Sequence, residues 1–348
     1  MTAVAACSDG GPNAGAGASP GTTASPGGTA SPVTPGGTAS GSALGLQQEF
    51  EQTVRAVLPS VVQISTSQGL GSGIVFDHQG DVVTNAHVVG NATSVKVRTA
   101  SASKELPARV LGTFTPDDLA VVRVEQNAGA LRPAAFGRSS AVRVGEIVLA
   151  MGNPLGLTGT VTDGIVSATG RTVSEGQGSS AVLISAVQTS ASINPGNSGG
   201  ALVDLSDRVI GIPTLAASDP QMGGAAAGIG FAIPSDTVTR IAPQLIRSGK
   251  VTNSGRAALG ITAETVASAS GQPAGVGVVR VSPGGGAARA GIKAGDIILA
   301  VNGQPTNSVT ALTTILAAKK PAQQVRVRYS HDGTTSTVTV TLGALTGS

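Results

Sequence analysis

Leu46, Phe50, Val54, Val57 and Leu58 recur at helical spacing and mark one amphipathic helix, which Pro59 helps to end. Beyond it the pattern changes to short apolar runs: Val61–Ser65, Gly73–Phe76, Val82–Thr84, Val95–Arg98, Ala120–Val124 and Glu146–Met151. Gly, Asn and Pro punctuate these runs, which predicts β-strands closing into a barrel. A polar join at about Ser248–Gly255 separates this region from a different pattern, in which a helix from about Val309 to Ala318 follows short strands. Ahead of the first helix, Ser8 to about Ser42 is a Gly/Ser/Thr/Pro/Ala repeat with no apolar spacing to bury, and it should be a disordered tether.

Three short blocks carry chemistry. Asn194-Pro195-Gly196-Asn197-Ser198-Gly199-Gly200 surrounds one serine hydroxyl with glycines. Gly196 can adopt the φ that turns its N–H inward, and Gly199 and Gly200 let a substrate backbone approach. By itself such a cluster more often reads as a turn. Upstream, Thr84-Asn85-Ala86-His87-Val88-Val89 and Asp117-Asp118-Leu119-Ala120-Val121-Val122 add an imidazole and two carboxylates, so a base, an orienter and a nucleophile are all available. If the aspartate segment is extended, Asp117 and Asp118 point to opposite sides and only one can face His87. Gly71-Ser72-Gly73 lacks the lysine and helix start of a phosphate loop and reads as a strand-entry turn.

These blocks, in this order and spacing, resemble the HtrA (Deg) family of trypsin-like serine proteases, over about Leu46 to Leu342. The resemblance implies a mainly β chain: a chymotrypsin-like double β-barrel over 46–250, then an α+β PDZ domain over 256–345, behind an N-terminal segment 1–45. It implies His87 as base, Asp118 as orienter and Ser198 as nucleophile, with the Gly196 and Ser198 N–H groups as oxyanion hole. Thr214 resembles the family's threonine near the acid, though an ordinary strand threonine reads the same. Ala258-Leu259-Gly260-Ile261 resembles the carboxylate-binding loop of a PDZ domain, whose N–H groups capture a peptide C-terminus. Family likeness also puts a sensor loop at Ser167–Arg171, with Arg171 as a switch contact or merely a solvated side chain, and a mobile specificity loop at Ala216–Gly230. Asn197 has no charge to pair with a new N-terminus, so activation by propeptide cleavage is not expected. Ser190 and Pro213 depart from the family's usual Asp and Asn, and Pro213 removes a strand N–H near the substrate.

The segment Ser190–Asn194 contains no carboxylate, which favours cleavage after small or medium apolar residues over cleavage after Lys or Arg. With 348 residues and 40% hydrophobic content, the chain has room for two cored domains. Charged residues are only 12% and the net charge is +3, so the footprint of a nucleic-acid binder is missing, and a single Tyr with no Trp offers no base-stacking platform. His78 and His331 have no ligand-spaced Cys or His, so neither a metal site nor a cofactor is expected. The single cysteine has no internal disulfide partner. It ends Val4-Ala5-Ala6-Cys7, which resembles a bacterial lipobox, yet too little apolar sequence precedes it for a full signal peptide. Either the start lies further upstream and Cys7 is the lipid attachment site, or the match is chance.

The expected function is a serine endopeptidase of protein quality control and stress response in the bacterial cell envelope, periplasmic or lipid-anchored to the outer face of the membrane. It would be a homotrimer by family likeness, with unfolded or damaged polypeptides and peptide C-termini as partners. The alternatives are a protease-inactive chaperone or PDZ scaffold, and a regulatory protease that cleaves one signalling partner.

Overall fold

The computed structural model describes residues 41–67, 69–99, 105–126, 128–153, 159–174, 182–194, 196–219, 224–268 and 270–347. Cys7 and most of the expected tether lie outside them. Helix α1 (Gly41–Val57) starts inside the stretch read as tether and runs into a single 3₁₀ turn, Leu58–Ser60, whose first residues include Pro59. Proline fits there because its missing N–H has no partner to lose. Phe50, Val54 and Val57 pack on the core, whereas Leu46, counted in the same stripe, is exposed.

Six strands follow: β1 (Val61–Ser65), β2 (Leu70–Val75), β3 (Asp81–Asn85), β4 (Ser94–Thr99), β5 (Leu106–Phe114) and β6 (Leu119–Val124). They close into a barrel in the order β1-β2-β3-β6-β5-β4. Several are buried along nearly their whole length, because each face has its own core. Val62, Ile64, Val82, Ala120 and Val122 fill the barrel interior. Their neighbours Val61, Val83, Leu119 and Val121 face the other way, into a core shared with the second barrel. Strand alternation thus yields continuous apolar runs wherever both faces are covered.

The second sheet comprises β7 (Ala135–Phe136), β8 (Ile147–Gly152), β9 (Thr160–Ser174), β10 (Val182–Thr189), β11 (Ala201–Asp204), β12 (Arg208–Asp219) and β13 (Gly224–Pro234). Its order is β11-β8-β9-β10-β13-β12-β7, and a β11–β12 pairing closes it. Val148 and Ala150 point inside, while Leu149 and Met151 join the shared core. Helix α3 (Ser235–Ser248) lays Ile241 and Leu245 on that core and ends at Gly249, whose φ of +68° lets its N–H return to the Leu245 carbonyl at 2.8 Å.

Three segments expected as turn or loop are strand. Gly71-Ser72-Gly73 is not a strand-entry turn but the middle of β2. Its glycines answer to packing, since a Cβ at Gly71 would lie 2.6 Å from Val88 and one at Gly73 2.6 Å from Val82. Ser167–Arg171 is strand rather than loop: it belongs to β9, where Arg171 pairs with Ala186 of β10. The described parts of Ala216–Gly230 likewise extend β12 and β13, with Ala216 opposite Gly230; residues 220–223 lie outside the described set. Long-range hairpin pairing supplies backbone partners that a Gly/Ala/Ser-rich composition does not predict.

The C-terminal module holds β14 (Ala257–Ala258), β15 (Ile261–Ala267), β16 (Pro273–Val281), α4 (Gly286–Arg289), β17 (Ile297–Val301), β18 (Gln304–Pro305), α5 (Val309–Ala317), β19 (Gln324–His331), β20 (Thr334–Thr341) and β21 (Gly343–Ala344). Its main sheet runs β15-β16-β17-β19-β20, and β14 pairs with β21. The Ser308 hydroxyl caps α5 by accepting the Ala311 N–H at 3.1 Å. Both ends of the module return to the protease barrels: Val251 bridges to Gly347, and Leu345 packs against the barrels' shared core.

Candidate active site

His87 sits on α2 (Ala86–Val89), a single turn that follows β3. The carboxylate of Asp118 approaches it from the turn before β6. The Thr115–Asp117 segment is a 3₁₀ turn, and Asp118 adopts the left-handed conformation at φ 50°, which aspartate tolerates better than most residues. An extended segment is therefore not what separates the two aspartates. Asp118 Oδ1 accepts the His87 backbone N–H at 2.9 Å, and Oδ2 lies 2.8 Å from His87 Nδ1. The Asp118 carbonyl accepts the Ala86 N–H at 3.0 Å and the Asn85 amide at 3.2 Å. The Asp118 side chain is 3% exposed and that of His87 45% exposed, so a buried carboxylate holds a half-exposed imidazole. With Nδ1 donating to the carboxylate, Nε2 is the basic nitrogen.

Thr214, in β12, ties this pair to the serine turn. Its Oγ1 donates to Asp118 Oδ2 at 2.5 Å, and its carbonyl accepts the Ser198 hydroxyl at 3.3 Å. The turn is closed by the Asn197 N–H on the Asn194 carbonyl at 3.1 Å, with Gly196 at φ 113°, a value open to glycine. The Asn197 side chain pins the same turn, accepting the Asn194 N–H at 3.1 Å and donating to the Ser192 carbonyl at 3.0 Å. Gly199 and Gly200 have no room for a side chain: a Cβ at Gly199 would lie 2.2 Å from the Ser72 carbonyl, and one at Gly200 2.1 Å from that of Met151. Pro213 has a positive part, its carbonyl accepting the Gly199 N–H at 2.9 Å.

Where the family usually carries Asp, the Ser190 hydroxyl accepts the Ile165 N–H at 3.0 Å. Ile193 is buried against Gly230, where an added Cβ would come within 2.3 Å of it. Arg171 stands exposed on β9. Asp117, the second aspartate, faces away from His87. It is buried and bonds Arg256 at 2.6 Å, and Arg256 also donates to the Pro116 carbonyl at 2.8 Å. Burial pushes the Asp117 carboxyl above the usual aspartate range, and the adjacent Arg256 charge works against that rise. Sequence reading missed this contact, since nothing local links residues so far apart. Ala258, Leu259, Gly260 and Ile261 border a groove of 660 Å³ that has Val309, Leu312 and Leu316 of α5 on its apolar wall and reaches Pro116 and Ile184 of the protease barrels. Among the described residues, no group of His, Cys, Asp and Glu could hold a metal ion, and no helix is long and apolar enough to cross a membrane.

Two closed β-barrels that share a core and carry a His–Asp pair and a glycine-lined serine turn, followed by a grooved α+β module, define a trypsin-like serine protease fold joined to a PDZ domain. The trypsin-like peptidase domain family matches residues 71–212, and the PDZ domain family matches 257–342. The chain is 39% identical over 312 residues to the serine protease PepD of Mycobacterium tuberculosis, covering 84% of this chain and 66% of that protein. It is 37% identical over 319 residues to the periplasmic pH-dependent serine endoprotease DegQ of Escherichia coli, covering 90% and 67%. The chain thus spans about two thirds of the length of these relatives. Among solved structures, a serine endoprotease from Yersinia pestis superposes with a TM-score of 0.57 at 36% identity, covering 85% of this chain and 98% of that one. The HtrA-type protease AlgW with a decapeptide superposes at 0.57 and 29% identity, covering 85% and 98%. The chain belongs to the HtrA/Deg family of trypsin-like serine proteases with a PDZ domain.

Proposed function

We propose that this chain is a serine endopeptidase of the bacterial cell envelope that cuts unfolded or damaged polypeptides, with Ser198 as nucleophile, His87 as general base and Asp118 as orienter. The observation that carries the reading is the hydrogen-bonded run from His87 through Asp118 and Thr214 to Ser198. The Ser198 hydroxyl turns its hydrogen from the Thr214 carbonyl to His87 Nε2, which takes the proton as the oxygen attacks a peptide carbonyl and then delivers it to the leaving amine. Three donors on the Asp118 carboxylate, the His87 N–H, the ring Nδ1–H and the Thr214 hydroxyl, fix the imidazole plane and tautomer and stabilise the imidazolium. The developing oxyanion is received by the Gly196 and Ser198 N–H groups. Digestion of a permanently unfolded substrate protein by the full chain, beside its natively folded form, tests the function: the unfolded form should be cut into many peptides and the folded form spared. Equal resistance of both forms would contradict it.

Ile193, buried against Gly230, closes the primary pocket to large side chains, and Ser190–Asn194 offers no charge to a cationic one. Cleavage should follow Val, Ala, Leu or Ile. In Ile193→Ala the preference should move toward Leu and Phe, by about 10-fold to 100-fold in the ratio of kcat/KM values against Val, as mass spectrometry of the products can count.

The 660 Å³ groove suits an apolar C-terminal residue, its carboxylate meeting the N–H groups of Ala258–Ile261 while the peptide adds a strand to β15. A Leu312→Asp substitution puts a charge on that apolar wall. It should weaken binding of an apolar-ended peptide by about 100-fold, read by fluorescence anisotropy, with cleavage of a short peptide unchanged. Trimer assembly and a lipid anchor at Cys7 belong to the same reading; sedimentation of the full chain and mass analysis of the mature N-terminus test them. Arg171 as a switch contact predicts that Arg171→Ala loses activation by peptides.

A further inference from the structure

Ser72, in the middle of β2, is fully buried, and its N–H and both sides of its hydroxyl are used across the junction of the two barrels. Its backbone N–H donates to the Ser198 carbonyl at 2.9 Å. Its hydroxyl donates to the Gly196 carbonyl at 2.5 Å and accepts the Asn153 N–H at 2.8 Å. Its own carbonyl accepts the Thr84 hydroxyl at 2.7 Å. We propose that Ser72 is a positioning residue for the oxyanion hole, holding the serine turn from the opposite barrel; the proposal rests on the reading of Ser198 as nucleophile.

A peptide unit is flat, so fixing its carbonyl and its N–H fixes the unit. The unit between Gly196 and Asn197 is gripped by Ser72 Oγ at the carbonyl and by the Asn194 carbonyl at the N–H. The unit between Ser198 and Gly199 is gripped by the Ser72 N–H at the carbonyl and by the Pro213 carbonyl at the N–H. Between them lies the Asn197–Ser198 unit, whose carbonyl accepts the Gly200 N–H at 2.9 Å. Its direction is therefore determined on both sides, and with it the aim of the Ser198 N–H, one of the two oxyanion donors. Ser72 has no freedom of its own: the Asn153 N–H occupies its acceptor side and forces the hydroxyl proton toward Gly196. Gly199 leaves room for the Ser72 carbonyl, which would lie 2.2 Å from a Cβ there, closer than any side chain would permit.

Ser72→Ala removes the hydroxyl grip and keeps the backbone one, while Ser72→Cys keeps the volume and weakens the donor. Both are compared with wild type and Ser198→Ala in the full chain. The readouts are kcat and KM on a peptide cut after Val, affinity for a matching peptide boronate that forms a tetrahedral adduct, the thermal midpoint, and binding of uncut peptide in a Ser198→Ala background. In Ser72→Ala, kcat should fall by at least about tenfold, bounded by the about 10²–10³-fold that deleting an oxyanion donor costs. KM and uncut-peptide binding should stay within about twofold, and boronate affinity should drop in the same proportion as kcat. Ser72→Cys should lie between. If Ser72→Ala does not fold, Ser72→Cys carries the same split between kcat and KM. Unchanged kcat and boronate affinity, or losses in kcat, peptide binding and thermal midpoint that move together, would overturn the proposal. Ser198→Ala separates the two failures: if it still hydrolyses, the reading of the site is wrong, whereas a dead Ser198→Ala beside a fully active Ser72→Ala removes only the role of Ser72.

Discussion

Ser198→Ala is expected to lower kcat on an unfolded protein by about 10⁶-fold, the size of effect that loss of the nucleophile has in a serine protease. The fold should survive the change. The Ser198 hydroxyl bonds the Thr214 carbonyl at a long 3.3 Å, and the contacts that shape the turn run through backbone groups and the side chains of Asn197 and Ser72, which alanine at 198 leaves in place. Peptide capture by the PDZ groove should be unaltered, so the variant becomes a substrate trap. Residual digestion at the wild-type rate would assign the chemistry to another group.

The second large effect is expected from Asp118→Asn, about 10⁴-fold in kcat, because an amide can present its NH₂ to His87 Nδ1 and so select the tautomer in which Nε2 carries the proton. The local structure makes this change sharper than a simple loss of charge. Asp118 accepts from three donors, the His87 N–H, His87 Nδ1 and the Thr214 hydroxyl, and asparagine has only one side-chain acceptor oxygen to serve them. One donor among them must lose its partner in a site that is 3% exposed. Steady-state kinetics with circular dichroism on the same preparation separates this from misfolding, and a kcat within about tenfold of wild type would mean that Asp118 does not orient the base.

Much of the first barrel and of the candidate site was legible in the sequence because its signals are local. The apolar runs at Val61–Ser65 and Ala120–Val124 fall within β1 and β6, and the blocks around His87, Asp118 and Ser198 each carry their chemistry in a few adjacent residues. Strands such as β9 and β12 were less legible, because their glycines, alanines and threonines become strand only through pairing with β10 and β13. The contacts of Ser72 were invisible for a related reason: Gly196 lies 124 positions away, and a serine between two glycines reads locally as a turn. Asp117 is the clearest case. Neighbouring aspartates cannot be told apart by composition, and it took the left-handed bend at Asp118 to turn one carboxylate toward His87 and leave the other to Arg256, 139 positions further on.

Covalent trapping with a serine-directed peptidyl phosphonate reads whether His87 activates the Ser198 hydroxyl. Peptide mapping of the trapped protein should find a single adduct, on Ser198, formed at a rate that collapses in His87→Ala. An adduct on any other residue, or undiminished labelling of Ser198 in His87→Ala, would mean that His87 does not activate Ser198.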